Sequence, residues 1–127
     1  MCRRYAKSPS LYAVELLNEP RSPDATLESL NKYYKDGYEA VRKHSSTVFV
    51  VFSNRLGSSM PREFFPLANG LMGSVIDVHY YSIFGDEFTN MTVQQNLDYI
   101  YNNRSSDLNF VTTSNGPLIF VGEYSSN

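Results

Sequence analysis

Apolar residues fall into two kinds of run that alternate along the chain. The first kind is short and nearly unbroken, at Leu11 to Leu17, Thr47 to Ser53, Ser74 to Tyr81 and Leu118 to Glu123. Runs of this length, bounded by Pro, Gly and Ser, predict strands covered on both faces. The second kind repeats at three- and four-residue spacing. Leu27, Leu30, Tyr34, Tyr38 and Val41 form one such stripe, which predicts a helix ending near His44 whose tyrosines pack into the core. Ser22 before Pro23 reads as its N-cap and first helical residue. A second helix is predicted from the capping box Thr92-Val93-Gln94-Gln95, with Val93, Leu97, Ile100 and Arg104 on one face. Residues 1–10 read as the end of a helix and a turn, and a loop with a short turn at 62–65 follows the second strand.

Short apolar strands alternating with helices predict a parallel sheet with helical crossovers. Chemistry in such folds gathers at the carboxyl ends of the strands. Here the first strand runs into Asn18-Glu19-Pro20, the third ends in His79 and Tyr81, and the fourth in Glu123. Alternation puts Glu15, Leu17 and Glu19 on one face of their strand, Asp77, His79 and Tyr81 on one of theirs, and Ile119, Val121 and Glu123 on a third. Asn18 has the opposite parity, unless a bulge or the start of the loop turns it. A carboxylate at the end of a buried strand is poorly solvated, which raises its pKa and suits a general acid. Two carboxylates facing each other are the minimum apparatus for cleaving a glycosidic bond. Glu15 and Asp77, placed mid-strand, read as structural hydrogen-bonding groups rather than catalytic ones.

Composition narrows the partners. A net charge of −2, with 11 basic and 13 acidic residues and no basic stripe, argues against nucleic acid and anionic membrane. No apolar run is long enough for a membrane-spanning helix, and the first residues lack the apolar core of a signal peptide. The single Cys2 allows no internal disulfide and reads as an inert thiol. Two sequons, Asn90-Met91-Thr92 and Asn103-Arg104-Ser105, lean towards a secretory origin. Asp77, His79 and Glu123 match no metal-ligand spacing, so neither metal nor cofactor is expected. At 127 residues the chain is one domain or part of one.

Taken together, Leu-Leu-Asn-Glu-Pro at 16–20, Asp-Val-His-Tyr-Tyr at 77–81 and Phe-Val-Gly-Glu-Tyr at 120–124 resemble glycoside hydrolase family 5. The likeness runs end to end and is nearest to the plant branch described as glucan 1,3-β-glucosidase-like or exoglucanase-like. It implies an α/β fold, a partial (β/α)8 barrel carrying strands four to seven with their helices, so that residues 1–127 form part of one catalytic domain. It implies a retaining β-glycosidase acting on β-glucans or β-glucosides, with a secreted or cell-wall location for the whole protein. By the same resemblance Glu19 is the acid/base and Glu123 the nucleophile. Asn18 binds the sugar 2-hydroxyl, His79 and Tyr81 contact the substrate and the two carboxylates, and Tyr124 stands where the family usually has tryptophan.

The family's arginine after strand two, histidine after strand three and tryptophan after strand eight have no counterparts here. A full barrel needs about 250 residues. A half-barrel would expose strand edges and apolar inner faces, so little activity and some self-association are expected of this chain by itself. The competing reading is a non-catalytic half-barrel that binds carbohydrate or serves as an interaction module. An open flavodoxin-like domain is disfavoured, since no Gly-rich phosphate loop follows the first strand.

Overall fold

The computed structural model describes residues 2–57 and 60–126. Four parallel strands, β1 (Ala13–Glu15), β2 (Phe49–Ser53), β3 (Ser74–Ser82) and β4 (Leu118–Ser126), hydrogen-bond in the order β1-β2-β3-β4. Strands alternate with helices and the sheet curls into half a barrel, as predicted for a partial (β/α)8 fold. The helices are α1 (Cys2–Tyr5), α2 (Leu27–Arg42), α3 (Phe65–Asn69), α4 (Asp86–Thr89), α5 (Val93–Tyr99) and α6 (Ser105–Val111). A π-helical turn, Ile100–Arg104, joins the last two into one rod. Cys2 lies in α1, and its thiol is outside the described residues.

The core sits on the outer, helix-facing side of the sheet. Val50, Phe52, Ile76 and Val78 from the strands meet Leu30, Tyr34 and Val41 from α2, with Phe64 and Ala68 closing the end. Tyr34 stacks on Phe52 at 4.9 Å and meets Phe64 edge-on at 5.1 Å. Three α2 tyrosines also tie the sheet by their hydroxyls, which donate to main-chain carbonyls: Tyr33 to Leu16 (2.9 Å), Tyr34 to Ser53 (2.8 Å) and Tyr38 to Met72 (2.8 Å). The aromatic stripe therefore sets strand positions as well as filling space. Gly37 gives the close approach: a Cβ there would lie 2.6 Å from Leu16 Cδ1.

Several expectations shift. The α2 N-cap is Thr26, which accepts from Ser29 N–H, not Ser22. Arg21 instead bridges to Leu56 and the Ser22 N–H donates to the Leu56 carbonyl, so this stretch is committed to extended pairing. The residues that begin as a turn at 62–65 continue into α3 from Phe65. The capping box at Thr92 and Gln95 forms as read, but Val93 and Leu97 are exposed. Asn96, Ile100, Arg104, Leu108 and Val111 carry the more buried face. From Asn96 to Leu108 they recur every four residues, which outruns a 3.6-residue helix, and the wider π turn absorbs the difference.

Strands buried on both faces were expected; β2 meets this from Val50 to Ser53, but the edge strands β1 and β4 do not. The inner, concave face is open, with Tyr12, Leu118 and Phe120 exposed. A shallow apolar hollow of 390 Å³ runs over Tyr12, Phe49, Val51, Val75 and Phe120. β1 spans three residues rather than seven, because as an edge it has a ladder partner on one side only.

Candidate active site

The expected residues come together by two breaks in regular strand geometry. β1 ends at Glu15 and the chain bends at Leu16 and Asn18. Glu19 then adopts φ +46°, a left-handed conformation that costs a non-glycine residue about 1 kcal/mol or more. Its N–H donates to Ser53 Oγ at 3.1 Å. Ser53 is buried, and its carbonyl is held by the Tyr34 hydroxyl. Thus α2 fixes Ser53, and Ser53 fixes Glu19. The predicted alternation of Glu15, Leu17 and Glu19 does not extend beyond the strand.

The second break is in β4. Val78 pairs with Val121, but His79 pairs with Glu123, so Gly122 is an extra residue in a β-bulge. Upstream of it Phe120 lies beside Asp77 on the inner face, while Ile119 and Val121 pack outward against the core. Unbroken alternation would have sent Glu123 outward with them. The bulge reverses the parity and brings Glu123 beside His79 on the inner face, correcting the predicted grouping of Ile119, Val121 and Glu123. Tyr124 is carried outward, opposite Tyr80, and is 81% exposed. It stands on the other side of the sheet from the carboxylates. Asn18 is exposed at the bend beside Glu19.

His79 is the centre of the cluster, its ring only 4% exposed. Nδ1 lies 2.7 Å from Glu19 Oε1 and 4.0 Å from Glu123 Oε1, while Nε2 lies 3.1 Å from Asp77 Oδ2. A nitrogen and a carboxylate oxygen at 2.7 Å need a proton between them. Only the imidazolium donates to both acids at once. Burial pulls the His79 pKa down, but the hydrogen bonds to Glu19 and Asp77 and the charges of Asp77 and Glu123 outweigh it, leaving the pKa above its ordinary 6.5.

The Tyr81 hydroxyl donates to Glu123 Oε2, and chiefly through that bond its pKa is pushed up to about 12. It stays a donor across the working pH range. From the helix side, Arg104 holds the end of β3, donating to the Tyr81 carbonyl at 2.9 Å and to Ser82 Oγ at 3.1 Å. Glu15, expected to be buried, is exposed on the open inner face. Partial loss of hydration and the Asp77 carboxylate raise its pKa.

Among the described residues, Glu19, His79 and Glu123 each offer one ligand atom, all within 4.8 Å of one another. Two atoms on one zinc, at bonds of about 2.0–2.2 Å, stand roughly 3 Å or more apart. The 2.7 Å Nδ1–Oε1 contact is hydrogen-bond spacing, closer than two ligand atoms on one zinc.

Sequence reasoning did not single out Ser53 or Gly122. Nothing local distinguishes Ser53 from any polar residue ending a strand. Gly122 carries a legible signal, since glycine inside a strand often marks a bulge.

Known proteins match the chain accordingly. It is 29% identical over 85 residues to a glucan 1,3-beta-glucosidase of Blumeria graminis, covering 66% of this chain and 20% of that protein. A probable glucan 1,3-beta-glucosidase A of Aspergillus terreus is 30% identical over 99 residues, 76% of this chain and 23% of that one. A glucan 1,3-beta-glucosidase of Candida oleophila is 22% identical over 89 residues, covering 66% and 21%. The chain thus spans about a fifth of the length of these relatives. The family model described as cellulase, glycosyl hydrolase family 5, matches residues 1–127, and the chain belongs to that family.

Proposed function

We propose that this chain carries the paired carboxylates of a retaining β-glycosidase acting on β-glucans or β-glucosides, in the manner of the glucan 1,3-β-glucosidases it resembles. The observation that carries the reading is the placement of Glu19 and Glu123 around one histidine, with a carboxylate oxygen of each within 4.8 Å of the other. Retaining enzymes hold their carboxyl groups about 5–5.5 Å apart, whereas inverting enzymes leave about 6.5–9.5 Å for a water.

Glu19 is the acid/base. It protonates the leaving oxygen as the glycosidic bond breaks, while His79 Nδ1, with Nε2 tied to Asp77, orients its carboxyl group. Glu123 attacks the anomeric carbon, forming a glycosyl-enzyme and releasing the protonated leaving group. Glu19 then takes a proton from water, whose oxygen displaces Glu123. Tyr81 steadies Glu123 for in-line attack by binding one of its oxygens. Asn18, beside the acid/base, reaches the sugar 2-hydroxyl, and Tyr124 lies too far round the sheet to stack on a sugar between the two glutamates.

A fluoro-sugar that traps the glycosyl-enzyme, followed by peptide mapping of the full-length protein, should label Glu123, and Glu123→Gln should abolish labelling. A label on any other residue overturns the assignment. A second reading, a carbohydrate-binding half-barrel without catalysis, is favoured by the open inner face with exposed Tyr12, Leu118 and Phe120. Saturable oligosaccharide binding to this chain without hydrolysis supports it, and no binding removes it.

A further inference from the structure

We propose that Asp77 is a positioning residue whose two carboxylate oxygens set both glutamates at once, one by locking the β4 bulge behind Glu123 and the other by holding His79 against Glu19. Its catalytic consequence rests on the retaining-glycosidase reading, but its geometry does not.

Four observations converge. Asp77 is buried, at 4% exposure, on the inner face of β3. Its Oδ1 accepts the N–H of Gly122 at 2.7 Å. That N–H belongs to the extra residue of the bulge, which a regular ladder would leave unpaired. A Cβ at position 122 would come within 2.5 Å of Asp77 Oδ1 and 2.7 Å of Cγ, so the contact exists only because the residue is glycine. Finally, Oδ2 lies 3.1 Å from His79 Nε2, which leaves Nδ1 directed at Glu19.

The clamp converts strand register into chemistry. With the bulge captured, Glu123 pairs laterally with His79 and reaches the Tyr81 hydroxyl. Without it, Glu123 inherits the outward parity of Val121. A satisfied buried acid with no positioning role would account for either hydrogen bond alone. It would not account for one side chain holding the irregularity in β4 and the histidine that the irregularity brings Glu123 to meet.

Asp77→Asn tests this in the chain as it stands. The Gly122 N–H needs an oxygen, which turns the new amide NH2 towards His79 Nε2. Neutral His79 must then carry its proton on Nδ1, facing Glu19. Nitrogen-15 NMR should show the Nδ1–H tautomer at alkaline pH. The His79 titration midpoint should fall by about one unit or more on loss of one of the three carboxylates that face the ring, Glu19, Asp77 and Glu123, with Tyr81 edge-on beside them. Slow exchange of the Gly122 amide should be retained. In Asp77→Ala that amide should exchange about tenfold faster or more. In Gly122→Ala the nuclear Overhauser contacts from Glu123 to Tyr81 should disappear while those from Val121 to the core persist. An Nε2–H tautomer in Asp77→Asn, an unmoved midpoint, or unchanged Gly122 exchange in Asp77→Ala would each overturn the clamp. None of these readouts uses turnover, so fluoro-sugar labelling elsewhere than Glu123 would refute the glycosidase assignment and leave the clamp standing.

Discussion

Adjacent tyrosines on α2 offer a controlled test of how the helix holds the sheet. Tyr33 and Tyr34 make the same bond, a phenol donating to a strand-end carbonyl, at 2.9 and 2.8 Å. They differ in burial, 48% against 0% exposed. Tyr34→Phe keeps the ring stacked on Phe52 and removes one oxygen. The Ser53 carbonyl then loses its phenol partner in a place water does not reach, at a cost of about 1–3 kcal/mol. Tyr33→Phe leaves the Leu16 carbonyl near solvent, which replaces the bond, so its cost is about 0.5 kcal/mol or less. At roughly 2.1 cal/mol/K of unfolding entropy per residue, 1 kcal/mol corresponds to about 4 °C for a chain this long. Tyr34→Phe should therefore lower Tm by about 4–12 °C and Tyr33→Phe by about 2 °C or less. Urea melts with unchanged slope would confirm that stability, not compactness, has changed. If the two variants melt together, the tyrosines are merely filling space. Because Ser53 also accepts the Glu19 N–H, Tyr34→Phe should in addition speed exchange of that amide.

The remaining predictions concern charge and chemistry. Glu63→Gln breaks the two-point pairing with Arg55 at 2.9 and 2.6 Å. With the Glu63 side chain only 3% exposed, the loss by chemical denaturation should be about 3 kcal/mol, the low end for a buried pair since Arg55 keeps some solvent contact. His79 has a pKa raised above its ordinary 6.5, so the stabilisation from its charge is complete below that value and lost as pH rises through the higher folded value. The unfolding free-energy difference between the native chain and His79→Gln should shrink over that window, and one that grows instead would contradict the sign. On the retaining-glycosidase reading, Glu19→Ala in the whole protein should lose far more kcat/KM, which reports the first step, on alkyl glucosides than on dinitrophenyl glucosides, whose leaving group needs no proton. Equal losses on both would remove Glu19 from the acid role.

What the sequence discloses and what it hides divide along a physical line. Element type and order follow from hydrophobic period, which is local, so the alternation of strand and helix and the half-barrel are legible. The Thr92–Gln95 capping box is likewise a local hydrogen-bond pattern and forms where it is read. Failures arise where a distant partner decides. Ser22 and Pro23 look like a helix start, but the Leu56 carbonyl claims the Ser22 N–H. Glu123 looks aligned with Val121, but Asp77, 45 residues upstream of Gly122, captures the intervening amide. Val93 and Leu97 look core-facing together with Ile100 and Arg104, but across the π turn it is Asn96 that shares the more buried face with Ile100 and Arg104.

These departures concentrate at the site for a reason. A regular parallel strand points alternate residues to fixed faces, and β1 and β4 are the two edges of the sheet, with two strands between them. Regular geometry would leave the first acid wherever strand parity put it and would turn Glu123 away from the inner face. Bringing both acids to one histidine requires a backbone irregularity in each edge strand: the left-handed Glu19 after β1 and the extra Gly122 in β4. Each costs backbone energy, and each is held by a buried side chain from an inner strand, Ser53 of β2 and Asp77 of β3. The two inner strands are regular and act as the frame; the two outer strands are irregular and carry the acids. It follows that variants in β2 and β3 that leave both carboxylates intact, such as Ser53→Ala and Asp77→Ala, should disturb the site as much as changes to its own neighbours do.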